Sequence, residues 1–238
     1  MMQATELHAY YEKSHILQGM SFMVDDGEVV CLLGRNGVGK STTLKSMMGL
    51  VKLASGSVVF NGKDISNLAT HSIARLGFGY VPEERRIFPT ISVKENLLMG
   101  MKDAPPSVGV MNGNRWTLER VYQFLPRLRE RAAQRAGTLS GGEQQMLCTG
   151  RALMGNPSLL LVDEPTEGLA PAIVTQVEEI LSAAHRDGTA ILLVDQTMGL
   201  ALSLGSRFYV MSKGRIVFAG GAVDLMVDKE VRKRYLEL

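Results

Sequence analysis

Two cysteines are all that this chain of 238 residues carries, Cys31 and Cys148, both among apolar neighbours and neither in a CxxC. That excludes a disulfide framework and a cysteine-rich zinc centre, and it fits a reducing compartment. Nor is one sign of charge in excess. Twenty-six basic residues face 24 acidic ones, a net of +2, which gives no electrostatic signal for nucleic acid or an acidic substrate. The opening Met1-Met2-Gln3-Ala4-Thr5-Glu6 lacks the basic start and apolar centre of a signal peptide. No apolar run approaches the roughly 18–20 residues of a membrane span, so the chain alone is expected to be soluble. Internal repeats and low-complexity segments are also missing. What remains is 45% hydrophobic, enough for one large α/β domain or two small ones and too much for intrinsic disorder.

Short apolar runs alternate with helical patterns, the signature of a largely parallel sheet with helices packed on it. Val29-Val30-Cys31-Leu32-Leu33 reads as a buried strand, followed by a glycine-rich turn and a helix over about 40–50. Further strands are expected at 57–60, where Asn61-Gly62 signals a hairpin turn, and at 78–81, stopped by Pro82. Residues 92–155 read mostly as helix, interrupted by a loop at 103–114 where Pro105-Pro106, Gly109 and Asn112-Gly113 forbid regular structure. Strands return at 159–162, 190–194, 208–211 and 216–218, with a tight turn at Lys213-Gly214, and a terminal helix is expected over 222–236.

The chemistry enters at Gly34-Arg35-Asn36-Gly37-Val38-Gly39-Lys40-Ser41, which fits G-x-x-x-x-G-K-[ST] between a predicted strand and a predicted helix. Such glycines let backbone N–H groups close around phosphate oxygens, aided by the helix N-terminus. Lys40 would reach the β- and γ-phosphates, Ser41 would ligate Mg²⁺, and Thr42 joins them at the head of the helix. A second piece is Leu159-Leu160-Leu161-Val162-Asp163-Glu164, an apolar strand ending in two carboxylates. Side chains alternate along a strand, so the two diverge; one can hold the metal while the next polarises water. Together the two motifs point to a nucleoside triphosphatase.

Leu139-Ser140-Gly141-Gly142-Glu143-Gln144-Gln145 narrows the class. Ser140 as N-cap with Glu143 three residues on makes a capping box, yet a bare cap has no use for Gly141-Gly142, which cost helix stability. The segment resembles the signature of ATP-binding cassette (ABC) ATPases. The resemblance covers essentially the whole chain and is greatest to the LivF-type ATPases of branched-chain amino-acid importers. It is carried by Val81-Pro82-Glu83-Glu84-Arg85-Arg86-Ile87-Phe88-Pro89-Thr90, by 137–147, by Arg151-Ala152-Leu153-Met154, by 163–171 and by Arg234-Tyr235-Leu236. Tyr10-Tyr11, Ser14-His15-Ile16-Leu17 and the phosphate-loop segment 33–40 are also similar to urea-importer ATPases.

The resemblance implies a P-loop NTPase fold with a RecA-like core over about 1–83 and 156–238, an antiparallel β portion and a helical subdomain over about 84–155. It implies ATP and Mg²⁺ as ligands, with two ATPs sandwiched in a head-to-tail dimer. Asp163 would hold the metal with Ser41 and Glu83, Glu164 would activate water, and Gln196 would position the γ-phosphate. Ser140, Gly141, Gly142 and Glu143 would complete the facing subunit's site. Tyr11 would stack on adenine, with Tyr10 the rival position. The implied partners are two integral-membrane permease subunits, a second ABC ATPase and, indirectly, an external substrate-binding protein, with the chain peripheral on the cytoplasmic face of the membrane. Cargo would be branched-chain or other hydrophobic amino acids, or else urea or a short amide; a soluble ABC ATPase of translation or DNA repair is the rival from another class.

Three positions depart from the wider superfamily: Glu83 stands where glutamine is usual, Gln196 where histidine is usual, and Gly168-Leu169-Ala170-Pro171 replaces the common segment after the paired carboxylates. All three look normal for LivF-like subunits. An amide at 196 can donate a hydrogen bond but carries no charge, and Glu83 adds negative charge that Mg²⁺, Arg85 or Arg86 would offset. His8, His15, His71 and His185 have no metal-like spacing. The basic stretch 127–135, interrupted by Glu130, reads as a solvated helix face. Met47, Met48, Met99 and Met101 read as adaptable core, with some of them able to line a groove for a permease helix near Phe88. Trp116 says little by itself.

Overall fold

The computed structural model describes residues 1–102 and 115–236; the loop expected at 103–114 lies outside the described residues. Two long strands that apolar runs do not mark open the chain, β1 (Met2–Tyr11) and β2 (Ser14–Val24). They pair antiparallel, and β1 also pairs with β4 (Leu53–Phe60), which turns through Asn61-Gly62 into the short β5 (Lys63–Asp64). Asn61 and Gly62 both take positive φ, as the hairpin signal requires. This makes a four-stranded sheet of order β2-β1-β4-β5.

The second sheet has order β10-β9-β3-β8-β7-β6. Its strands are β3 (Val29–Leu33), β6 (Phe78–Val81), β7 (Leu159–Asp163), β8 (Ala190–Asp195), β9 (Arg207–Ser212) and β10 (Arg215–Gly220). All neighbours run parallel except the β9–β10 hairpin. Both faces are covered, which is why β3, β7 and β8 read as unbroken apolar runs. On one face Cys31, Leu33, Leu160, Val162 and Leu193 belong to the core shared with the helices; on the other Val30, Leu32, Leu161 and Leu192 meet Leu7, Leu17 and Met20 of the first sheet.

Helix α1 (Lys40–Met47) is shorter than expected. Gly49 turns the chain at φ +66°, pressed so closely on the Leu68 carbonyl that a Cβ there would lie 2.9 Å from it. After α2 (Thr70–Arg75) come α3 (Val93–Leu98), α4 (Leu118–Phe124), α5 (Pro126–Glu130) and α6 (Gly141–Met154). The helical tract is thus broken at Pro126 and again over 131–140. The basic stretch is only partly a helix face: Arg127 and Arg129 form exposed ion pairs with Glu130 and Glu119, while Arg131 reaches Glu143 at 2.9 Å. Trp116 is buried, its ring beside Phe124 and beneath the Arg120 guanidinium.

The long helix α7 (Pro171–Arg186) lies in a stretch the apolar runs leave unassigned, and it opens on a proline whose missing N–H costs nothing there. Helix α8 (Gly199–Leu204) follows β8. The expected terminal helix is two, α9 (Ala222–Val227) and α10 (Lys229–Tyr235), because Asp228 leaves helical geometry to cap the second through the Val231 N–H at 2.9 Å. Among the described residues no helix is long and apolar enough to cross a membrane.

Leu193 is wholly buried in the sheet. Leu193→Ala is expected to cost about 2–5 kcal/mol in urea unfolding, whereas Lys63→Ala on the exposed β5 should stay within about 0.5 kcal/mol of the parent.

Candidate nucleotide site

The cradle and the two carboxylates meet because β3 and β7 flank β8 in one parallel sheet and end at the same edge, the place where such sheets bind ligands. Residues 34–39 run from β3 to α1. Gly39 takes φ +110° immediately before the helix, a conformation open to glycine. Gly34 is fixed by space, since a Cβ there would lie 2.6 Å from the Met211 carbonyl oxygen. The first N–H groups of α1, at Lys40, Ser41 and Thr42, precede its first helical bond, Thr43 N–H to Gly39 C=O, and Gly39 has no side chain to cap them. Among the described residues they have no acceptor, and they lie at the positive end of a helix.

A cleft of about 470 Å³ opens over this loop, lined by Asn36, Gly37, Gly39, Lys40, Ser41 and Thr42 on one side. Tyr11, Ile16, Glu83 and Glu164 complete it. The Lys40 ammonium is buried and donates to the carbonyls of Gly34 (2.8 Å) and Arg35 (3.2 Å) while pairing with Glu164 Oε1 at 2.9 Å. The Ser41 hydroxyl donates to Asp163 Oδ1 at 3.0 Å. Adjacent strand-end carboxylates thus reach adjacent residues of α1. Glu164 holds φ +44°, unusual for a residue with a side chain, and its N–H is tied to the Val194 carbonyl at 2.9 Å.

The acidic sheet edge behind the cleft, where Asp163 lies buried and outside the cleft lining, is electrostatically uncomfortable by itself. Burial pushes the Asp163 carboxyl up to about 6; the Ser41 hydrogen bond opposes this, and Glu83 and Glu164 add to it. Two groups join that the motifs do not mark. The Tyr80 hydroxyl, aimed from β6, lies 3.4 Å from Asp163 Oδ2, and burial with that carboxylate raises it strongly. Asp195, at the end of β8, is buried and raised; its Oδ1 accepts from Thr197 N–H at 2.8 Å, but Oδ2 has no hydrogen-bond partner among the described residues. Asp195 pairs in register with Leu33, and a carboxylate closing a second apolar strand is the signal that could have found it.

Ser41, Asp163 and Glu83 are oxygen donors, suited to a hard divalent cation. Among the described residues no three acidic, histidine or cysteine side chains form a metal cage. Mg²⁺ does not need one, since it keeps water and takes one or two carboxylates with substrate phosphates. The raised Asp163 is what such a cation would relieve, so the residues fit it.

Tyr10 and Tyr11 separate cleanly. Tyr10 stacks on His15 (4.2 Å, 5° between planes), and His15 meets His8 at 3.0 Å across the β1–β2 hairpin, although the two are seven residues apart in sequence. Tyr11 lines the cleft with its ring exposed. Gln196 follows β8 at the same sheet edge but is not among the cleft-lining residues. Ser140, Gly141, Gly142 and Glu143 open α6 outside this cleft. The capping box is formed there: Glu143 Oε2 accepts from the Ser140 N–H at 2.9 Å, and Glu143 N–H donates back to the Ser140 hydroxyl. At Gly142 space is also tight, since a Cβ there would lie 3.1 Å from Ile173, whereas one on Gly141 would meet only the movable end of the Arg85 side chain.

A family model described as ABC transporter matches residues 17–167. The chain belongs to the ABC transporter family. BraG of Pseudomonas aeruginosa, a high-affinity branched-chain amino acid transport ATP-binding protein, is 42% identical, the match spanning 99% of each chain. LptB of Haemophilus influenzae, a lipopolysaccharide export system ATP-binding protein, is 32% identical over 99% of this chain and 97% of its own. Among solved structures, the ADP conformation of an ATP-binding cassette of an ABC transporter superposes with a TM-score of 0.80 at 27% identity, covering 98% and 97%. The expected fold, a P-loop core with an antiparallel β portion and helices, is therefore that of an ABC cassette.

The Asp163 shift sets a pH test on ligand-free protein in a chelator. Its folded-state carboxyl lies above the ordinary 3.8, so its favourable contribution is present at pH 4 and lost as pH rises through about 6. Asp163→Asn keeps an acceptor for Ser41 without that charge. Thermal melts should show the variant gaining on the parent between pH 4 and 7; a constant difference would remove the electrostatic account.

Proposed function

We propose that this chain hydrolyses MgATP to drive import of branched-chain or other hydrophobic amino acids through separate permease subunits. The observation that carries the ATPase reading is the pairing of both strand-end carboxylates with the first residues of α1, Asp163 with Ser41 and Glu164 with Lys40. Full-length identity to BraG, ten points above that to LptB, supports the cargo class and favours amino-acid uptake over lipopolysaccharide export.

In this reading the α- and β-phosphates take the N–H groups at the head of α1, Lys40 to Thr42, and the γ-phosphate competes with Glu164 for the Lys40 ammonium. Glu164, held at the site's edge by its bond to Val194, is then released to orient water and accept its proton. Mg²⁺, when bound, neutralises charge on the β- and γ-oxygens; Ser41, Asp163 and Glu83 are the residues to hold it. Tyr11 supplies the adenine platform, since Tyr10 is engaged by His15. Gln196 positions the γ-phosphate, and Ser140, Gly141, Gly142 and Glu143 reach the ATP of a facing ATPase subunit. The core, 1–83 with 156–238, and the helical part, 84–155, form a single cassette.

Docking to the permease falls to the helical part. Phe88 and Met99 are exposed and, with buried Met48, line a cleft of about 310 Å³, a surface for an amphipathic helix of a membrane subunit. Met101 is exposed on the same helical part, so the four methionines divide between core and surface. The chain then sits at the cytoplasmic face of the membrane, with a second ATPase, two permeases and an external binding protein completing the importer.

In the assembled complex, Glu164→Gln should lower ATP turnover about 10²–10⁴-fold with nucleotide still bound, and Gln196→Ala should cost less. Near-parental turnover in Glu164→Gln, with turnover abolished in Gln196→Ala, would overturn the assignment. Uptake of labelled leucine by vesicles holding the complex tests the cargo; ATP-driven uptake of urea instead would reassign it.

A further inference from the structure

Strand β6 is an edge of the second sheet, and its Tyr80 pairs in register with Leu161 of β7. Residues two apart on a strand share a face, so Asp163 lies on the face of Leu161, one step further along and diagonal to Tyr80. A diagonal of this kind is within reach of an aromatic or other long side chain. The Tyr80 ring packs on the core beneath the first sheet, and its hydroxyl ends 3.4 Å from Asp163 Oδ2. The other oxygen, Oδ1, accepts from the Ser41 hydroxyl at 3.0 Å. The two oxygens of one carboxylate are thus engaged by two different elements, β6 and α1.

The direction of the Tyr80 contact follows from its surroundings. Burial first, then the charge and hydrogen bond of Asp163, hold the phenol far above its ordinary range, so the hydroxyl keeps its proton and donates. Of the other charged groups that act on it, Arg86 and Glu84 work in opposite senses, and they pair with each other at 2.9 Å. A tyrosine has only two side-chain torsions to fix, so a packed ring holds its hydroxyl in place at little entropic cost. Tyr80 does not line the nucleotide cleft; it lies along the cleft on the other side, with Phe88 and Met99. It therefore acts on the site through Asp163 and not by touching nucleotide.

A carboxylate held in this way is not equally open to every cation. Ca²⁺ takes carboxylates through one oxygen or both, in flexible geometry, whereas Mg²⁺ is smaller, demands near-octahedral geometry and keeps several waters. With Oδ2 tied to Tyr80, Asp163 has one oxygen to offer, the one that faces Ser41. That suits Mg²⁺ and withholds the two-oxygen grip that Ca²⁺ can use.

We infer that Tyr80 is a positioning residue for the cation: it holds Asp163 Oδ2, leaves Oδ1 for the metal or one of its waters, and so tilts the site toward Mg²⁺ over Ca²⁺. The inference rests on the reading that Asp163 holds the metal with Ser41.

The test is calorimetry of a non-hydrolysable ATP analogue binding to the full chain, in chelator without divalent cation, in Mg²⁺ and in Ca²⁺. The gain in affinity that each cation brings is the readout, and it separates an effect on the metal from a general effect on the fold. Tyr80→Phe removes one oxygen and keeps the ring. It should leave affinity in chelator at the parental value and lower the Mg²⁺ gain about tenfold, the low end for losing a hydrogen bond behind a metal-holding group, because this bond is long. The Ca²⁺ gain should fall less, so the preference for Mg²⁺ narrows. Asp163→Asn controls the reading beneath the inference. An Mg²⁺ gain unchanged in Asp163→Asn would overturn both. A gain lost in Asp163→Asn but kept in Tyr80→Phe would overturn the role of Tyr80 alone. So would equal losses with the two cations, or an affinity in chelator that falls as far as the affinity in Mg²⁺.

Discussion

The ion pair between Lys40 and Glu164 is the contact on which the site depends. Both side chains are buried, and the two meet at 2.9 Å beside an open cleft. Removing two charges from water costs several kcal/mol per ion, and their attraction returns this only with good geometry and further hydrogen bonds. Lys40 has those bonds in the Gly34 and Arg35 carbonyls. Among the described residues Glu164 has no such set, and it occupies a backbone conformation that side chains disfavour. The pair is thus better understood as a placeholder than as a source of stability. It keeps the ammonium neutralised until phosphate oxygens offer a stronger partner, and the exchange frees the carboxylate at the point where it is useful.

The surrounding electrostatics follow the same logic. Asp163, Glu83, Glu164 and the buried Asp195 concentrate negative charge at one sheet edge, and burial first, with Glu83 and Glu164 adding to it, pushes the Asp163 carboxyl up to about 6. The first N–H groups of α1 supply the opposite sign a few ångströms away. Such a field suits a ligand that brings anionic phosphates and a cation together, and it is unfavourable to the empty protein. The β9–β10 turn and Met211 brace the loop from behind, so the cradle is shaped before any ligand enters, and its hydrogen bonds need little reorganisation on binding.

Much of this was legible in the sequence, for physical reasons. The buried strands announced themselves because both faces of the parallel sheet are covered, and the phosphate loop and paired carboxylates are local in sequence. Asn61-Gly62 and Lys213-Gly214 took the positive φ that their types suggest. What stayed hidden was non-local or lacked apolar continuity. The β1–β2 hairpin alternates and bulges, so no run marks it. The contact of His8 with His15 arises only from its register. Asp195 and Tyr80 needed the order of strands in the sheet to be known. Asp228 could have been recognised as a cap inside the expected terminal helix, since an aspartate followed by a basic, polar turn is a start signal in its own right.

The most direct test is a crystal structure of the chain with Mg²⁺ and a non-hydrolysable ATP analogue. The account predicts that Lys40 Nζ leaves Glu164 Oε1 for a phosphate oxygen, that Ser41 turns from Asp163 toward the cation, and that the Tyr11 ring lies flat on adenine. Nucleotide bound in the cradle with the Lys40–Glu164 pair still closed would contradict it.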